Sequence, residues 1–169
     1  MSIDRIREIF AAFDAGNSPG ELYADLEDIP LDDEATLQAL FEGFQCTEWR
    51  GALAVTKALE KSTPRPDLAV PRLIKALGHA ESSVRSGASE ALAAYGPAAE
   101  SAVPTLLEVL RKEPDAYQGS HLVKALGAIA SRPEIVLPVL VRILEKGIDT
   151  TDEPYLPEDA AEAIGVFGP

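Results

Sequence analysis

The chain of 169 residues has one cysteine, one tryptophan and two histidines, and only 6% of it is aromatic. A lone Cys46 excludes an internal disulfide framework, so stability has to come from an ordinary core, which a chain of this length can build. The opening MSIDRIREIF carries charges where a secretory signal needs an uninterrupted apolar stretch, and a reducing, cytoplasmic location is expected. No apolar run approaches the ~18 residues of a membrane span, because Lys, Arg, Glu or Gly interrupts each within a turn or two, so no membrane is expected as a partner. His79 and His121 have no His or Cys three or four positions on, which argues against a zinc or iron site and against any metal cofactor. No phosphate-cradling glycine loop, nucleophile elbow or Ser, His and Asp constellation is present, and no catalytic residue is assigned.

Basic residues are scarce at both ends. Residues 1–48 hold 12 acids against 2 bases, or −10, with no Lys or Arg between Arg7 and Arg50. Residues 49–146 hold 10 acids and 13 bases, while residues 147–169 hold 6 acids and no base. With a net charge of −13 the chain lacks the cations that nucleic-acid binding draws on, and no nucleic acid is expected as a partner.

What the sequence has is a period. Four apolar quartets recur: Leu37, Leu40, Phe41 and Phe44; Val70, Leu73, Ile74 and Leu77; Val103, Leu106, Leu107 and Leu110; Leu137, Leu140, Val141 and Leu144. The intervals are 33, 33 and 34 residues, the length of a helical hairpin, and such a period marks stacked helical repeats. Spacing i, i+3, i+4, i+7 puts each quartet on one helical face. A second ladder follows each: Val55, Ala58 and Leu59; Ala88, Ala91, Leu92 and Tyr95; Leu122, Ala125, Leu126 and Ile129; Ala160, Ala163, Ile164 and Phe167. Pro71, Pro104 and Pro138 read as marks of helix starts, and Gly96-Pro97 and Gly168-Pro169 as stops.

Ahead of the repeats, residues 1–30 read as a cap of two helices, one over about Ser2 to Asp14 and one opened by the capping box Ser18-Pro19-Gly20-Glu21 and ending near Asp28. Residues 31–169 read as the repeat array, with pairs at about 33–61, 67–96, 99–130 and 133–168. The carboxyl end lacks an equivalent cap, so either the chain is a fragment of a longer repeat protein or that face could self-associate, and the oligomeric state is left open.

AVPRLIKALGHAESSVRSGASEALAAYGP (69–97) and SAVPTLLEVLRKEPDAYQGSHLVKALGAIA (101–130) resemble the short HEAT-like repeats named after the phycobilin lyases. The resemblance covers about residues 33–169 and implies an all-α, right-handed α-solenoid of about four HEAT-like helix pairs. Relatives of this kind include binding scaffolds, subunits of assemblies, chromophore lyases and a few enzymes. Val84-Arg85 matches the family's step into a second helix, whereas Gln118-Gly119 and Leu156-Pro157 replace it in later copies, which rules out an arginine ladder. A HEAT-like metal hydroxylase would carry His-Glu steps, and the chain has none.

Candidate contact residues fall in three groups. Asp25, Glu27, Asp28, Glu42 and Glu48 exceed what helix capping requires and form an acidic patch suited to a basic protein. Outward positions of the second helices, Arg85, Ser89, Gln118, His121 and Lys124, would line a concave face. The distance between matching ladder residues grows from 15 or 16 to 20 in the last hairpin, whose turn from Gly147 to Pro157 carries Asp152, Glu153 and Tyr155. Trp49 stands before a second helix and is either core or an interface anchor. Cys46 has acids nearby, which raise a thiol pKa, and reads as filler.

The sequence thus points to a protein-interaction module without catalytic activity or cofactor, binding a protein partner through its concave face and acidic surface. An inhibitor or immunity protein that masks a basic toxin or nuclease, and a bilin lyase-like enzyme subunit, are the alternatives.

Overall fold

Helices open where a side chain can serve the backbone N–H groups that lack a partner in the first turn. The computed structural model describes residues 2–16, 26, 29–31, 33–46, 49–61, 65–112, 116–148 and 155–168, and among them regular structure is entirely helical. The chain divides into two units, Met1–Ala91 and Leu92–Pro169.

In the first unit, α1 (Ile3–Asp14) starts at Ser2, whose hydroxyl accepts the Arg5 N–H at 3.3 Å. Ile6, Ile9, Phe10 and Phe13 form its buried stripe, and Phe10 meets Phe13 edge to face. The capping box and the rest of the expected second cap helix lie outside the described residues, save Leu26, which is buried with Ile29 and Leu31. Helix α2 (Glu34–Phe41) starts at Asp33, which accepts the Thr36 hydroxyl at 2.5 Å and the Thr36 N–H at 2.8 Å. Those bonds, the hydroxyl's first, hold the Asp33 carboxyl below its ordinary value.

The first quartet is fully buried, but its helix tightens into a 3-10 turn over Glu42–Gln45. Gly43 sits in that turn because a Cβ there would run into the Phe10 ring and come 2.7 Å from Val55. Helix α3 (Trp49–Lys61) buries Val55, Ala58 and Leu59 as expected. Helices α4 (Pro66–Ala76) and α5 (Ser82–Tyr95) follow, and the second quartet buries Val70, Leu73 and Leu77 with Ile74 half-buried.

The second unit contains the last turn of α5, a 3-10 segment Gly96–Ala102, α6 (Val103–Lys112), α7 (Ala116–Ile129), α8 (Pro133–Ile148) and α9 (Tyr155–Val166). Helix α9 packs on both α7 and α8. All of the third quartet and all of the α7 ladder are buried. Gly96 and Gly168 adopt positive φ and end their helices as expected, and Ala130 at φ 48° does the same after α7, with Arg132 at φ 59° two residues on.

Three expectations need correction. Pro104 is the second residue of its helix, but Pro71 and Pro138 are the sixth, inside helices that begin at Pro66 and Pro133. Both inner prolines are exposed, so the carbonyl that each leaves without an N–H four residues on faces water and the helix continues. The fourth quartet is less buried than the others: Leu140 is fully buried together with Val136, Leu137 and Leu144 are half-buried, and Val141 is 41% exposed. The last hairpin turn is also shorter than expected, since α8 extends to Ile148 and α9 starts at Tyr155.

Candidate functional site

Arg85 turns inward to the loop it follows. Its Nη1 donates to the carbonyls of His79 at 3.2 Å and Ala80 at 2.8 Å, closing the turn between α4 and α5. The same turn uses His79 Nδ1 to accept the Glu81 N–H at 3.1 Å. Ser89 and Gln118, expected to face outward, are in fact buried, at 0% and 6% exposure. One turn after Arg85, the Ser89 hydroxyl donates to the Arg85 carbonyl at 2.9 Å and so needs no solvent. His121 is half-buried, and Lys124 is exposed.

The polar group that sequence reading missed lies between α7 and α9. The Ser120 hydroxyl donates to Asp159, and both residues are buried at 8% and 9% exposure. The Lys124 ammonium lies 3.3 Å from the other Asp159 oxygen. Chemically this is a latch: a carboxylate satisfied by one hydroxyl and one ammonium, the latter from a Lys124 side chain that stays exposed. The signal available in sequence was weak, a serine beside the apolar ladder of a helix that also carries Gln118, His121 and Lys124, and an acid 39 residues later.

The acidic patch is partly consumed within the chain. Glu42 accepts both Arg7 Nε and Nη2 at 2.9 Å, a two-pronged pair that ties α1 to the 3-10 turn. The Arg7 hydrogen bond holds the Glu42 carboxyl below the ordinary value against desolvation, with a smaller contribution from the Arg7 charge. Glu34 and Gln38 of α2 both accept from Arg72 of α4, at 3.0 and 3.4 Å, while Arg72 also donates to the Leu68 carbonyl at 2.8 Å. Asp25, Glu27, Asp28, Glu48, Asp152 and Glu153 lie outside the described residues. Trp49 and Tyr155 are the first residues of α3 and α9.

Cys46 is half-buried, its thiol donating weakly to the Phe10 carbonyl at 3.9 Å. Burial and then the nearby Asp14 charge push its pKa up to about 11. Because only the thiolate attacks, the folded chain is expected to react with a disulfide reagent at pH 8 at least tenfold more slowly than the urea-unfolded chain, approaching it only near pH 11. Equal rates at pH 8 would show the thiol to be open and unshifted.

Among the described residues no group of three His, Cys, Asp or Glu side chains is arranged to hold a metal ion, and no helix is long and apolar enough to cross a membrane. Val141 and Val166 are the large apolar residues that stand exposed among the described residues, at 41% and 56%.

Antiparallel helix pairs repeating at about one hairpin length, with a buried ladder on each, define an all-α tandem-repeat protein of the α-solenoid class. The sequence matches HEAT repeats over residues 37–120 and again over 70–165, and the chain belongs to the HEAT-repeat family. No curated protein and no solved structure shows a match to it.

Proposed function

We propose that this HEAT-repeat scaffold is a non-catalytic interaction module that binds a basic protein segment through its acidic amino-terminal region, with residues 1–30 acting as a cap on the array at 31–169. The observation that carries the reading is the charge of residues 1–48. Arg5 pairs with Glu8 and Arg7 with Glu42, so both bases of that stretch are held by acids of the same stretch, and of the ten carboxylates beyond them Glu34 is paired with Arg72. Such a field attracts cationic chains and accelerates encounter. The second-helix positions contribute less than expected, since Ser89 and Gln118 are buried and Arg85 serves its own turn.

The test is a titration of the chain with a lysine-rich peptide at rising salt. Binding should weaken steeply between low and physiological salt, and reversing Asp25, Glu27 and Asp28 to lysine should weaken it about tenfold or more at low salt. Salt-independent association, or unchanged affinity in the triple variant, would remove the acidic region from the binding surface.

A further inference from the structure

Two arginines from other helices of the first unit sit on one polar stripe. Glu34, Gln38 and Glu42 recur at four-residue intervals along α2 and the 3-10 turn that continues it. Arg72 of α4 lies on the first two and Arg7 of α1 on the third, so the groups this stripe takes are guanidinium groups. The two arginines are held differently. Arg72 is 26% exposed and also donates to the Leu68 carbonyl, which ties it to its own helix. Arg7 is 55% exposed, the Glu42 carboxylate is 32% exposed, and Nε and Nη2 of Arg7 both donate to Glu42 at 2.9 Å. Helix α1 does not depend on that pair: its stripe of Ile6, Ile9, Phe10 and Phe13 anchors it, whereas an exposed ion pair contributes little to folding. The pair is therefore exchangeable. A guanidinium arriving from outside meets the same two oxygens in the same fork, and swapping one arginine for another loses no hydrogen bond.

We propose that Arg7 is an autoinhibitory contact: it occupies Glu42 in the free chain as an arginine of the basic partner does in the complex, and the partner's side chain displaces it. The inference rests on the reading of the acidic amino-terminal region as the binding surface, and it names both the side chain recognised there and the group that restrains binding. Arginine is selected over lysine because an ammonium is a point donor and does not span two carboxylate oxygens as a planar fork does. The restraint is the competition itself. An exposed pair of this geometry keeps Glu42 occupied most of the time, so the apparent affinity for the partner scales with the fraction left open, a reduction of roughly threefold to fivefold.

The test compares two changes of equal charge. Arg7→Ala and Arg5→Ala each remove one cation from the stretch, but the Arg5 pair with Glu8 lies within a single turn of α1, at 3.4 Å. Titrated with a labelled arginine-rich peptide by fluorescence anisotropy at low salt, Arg7→Ala should bind about threefold or more tighter than Arg5→Ala. With a lysine-rich peptide of the same length the two variants should bind alike, so the preference for arginine over lysine rises in Arg7→Ala only. Adding Glu42→Gln to Arg7→Ala should abolish that rise. All four chains should melt within about 3 °C of one another, since every change falls on an exposed pair. In the parent chain the Arg7 Nε–H resonance should move toward that of a free guanidinium as the arginine peptide is added, a readout that needs no variant and decides the matter if one of them melts early. Equal arginine preference in Arg7→Ala and Arg5→Ala overturns the proposal, as does a rise that survives Glu42→Gln, an Arg7 resonance unmoved at saturating peptide, or no arginine-peptide binding by any of the chains. Salt-independent association with the lysine-rich peptide, or its indifference to reversal of Asp25, Glu27 and Asp28, fails the broader reading without touching the Arg7 comparison, so the two fail separately.

Discussion

Gly51→Ala is expected to lower the thermal midpoint of the Met1–Ala91 unit by roughly 10 °C, the effect of about 2 kcal/mol on a unit of this size. Gly51 lies in the first turn of α3, where a Cβ would strike the Gly43 carbonyl oxygen and come within 2.5 Å of the Cys46 Cβ. The first obstacle is backbone and the second is the root of a side chain, so neither can swing aside. Overpacking of this kind costs about 3 kcal/mol, from which the helix-forming gain of alanine over glycine recovers up to about 1 kcal/mol. Gly165→Ala provides the contrast, since its Cβ meets nothing and only the gain remains. Opposite signs for these two glycine-to-alanine changes, read by thermal melting, check the packing at both positions. A neutral Gly51→Ala would mean that the 3-10 turn and α3 are further apart than described.

Breaking the latch between α7 and α9 should have a comparable effect on the second unit. Ser120→Ala leaves the buried Asp159 carboxylate with Lys124 alone, and Asp159→Ala strands the buried Ser120 hydroxyl. Each is expected to cost about 2 kcal/mol, because removing one partner leaves the other desolvated. The double variant Ser120→Ala, Asp159→Ala should cost less than the sum by about 1 kcal/mol or more, since no stranded group then remains. Urea midpoints of the four chains measure this cycle. Strict additivity would show that Ser120 and Asp159 do not depend on each other.

The class of fold was legible in the sequence because a hairpin-length period is a global pattern that no single residue has to carry. In three of the four quartets every residue but the half-buried Ile74 belongs to the core, as spacing alone implied. The fourth differs in exposure and not in phase: Val136 and Leu140 are inside, as Ala102 and Leu106 are 34 residues earlier, while Val141 stands exposed, and spacing gives the face of a helix but not how much of that face is covered. The surface positions were the least legible. Ladder logic assigns a helix one buried stripe, but Ser120, Val123 and Gly127 are buried on α7 in addition to its ladder, so a polar residue off the stripe is not thereby outside. Gln118 and Ser89 were misplaced for that reason. The Arg7–Glu42 pair joins residues 35 positions apart, and nothing local to either indicates the other.

The inner prolines of α4 and α8 remove the same rung from two helices of the array. Without an amide hydrogen at Pro71 and Pro138, one link of the axial ladder is absent in each helix, on the side that water reaches. Helices so interrupted bend at that turn more readily than unbroken ones. Elastic compliance is thereby written into two helices of the array, independent of any loop.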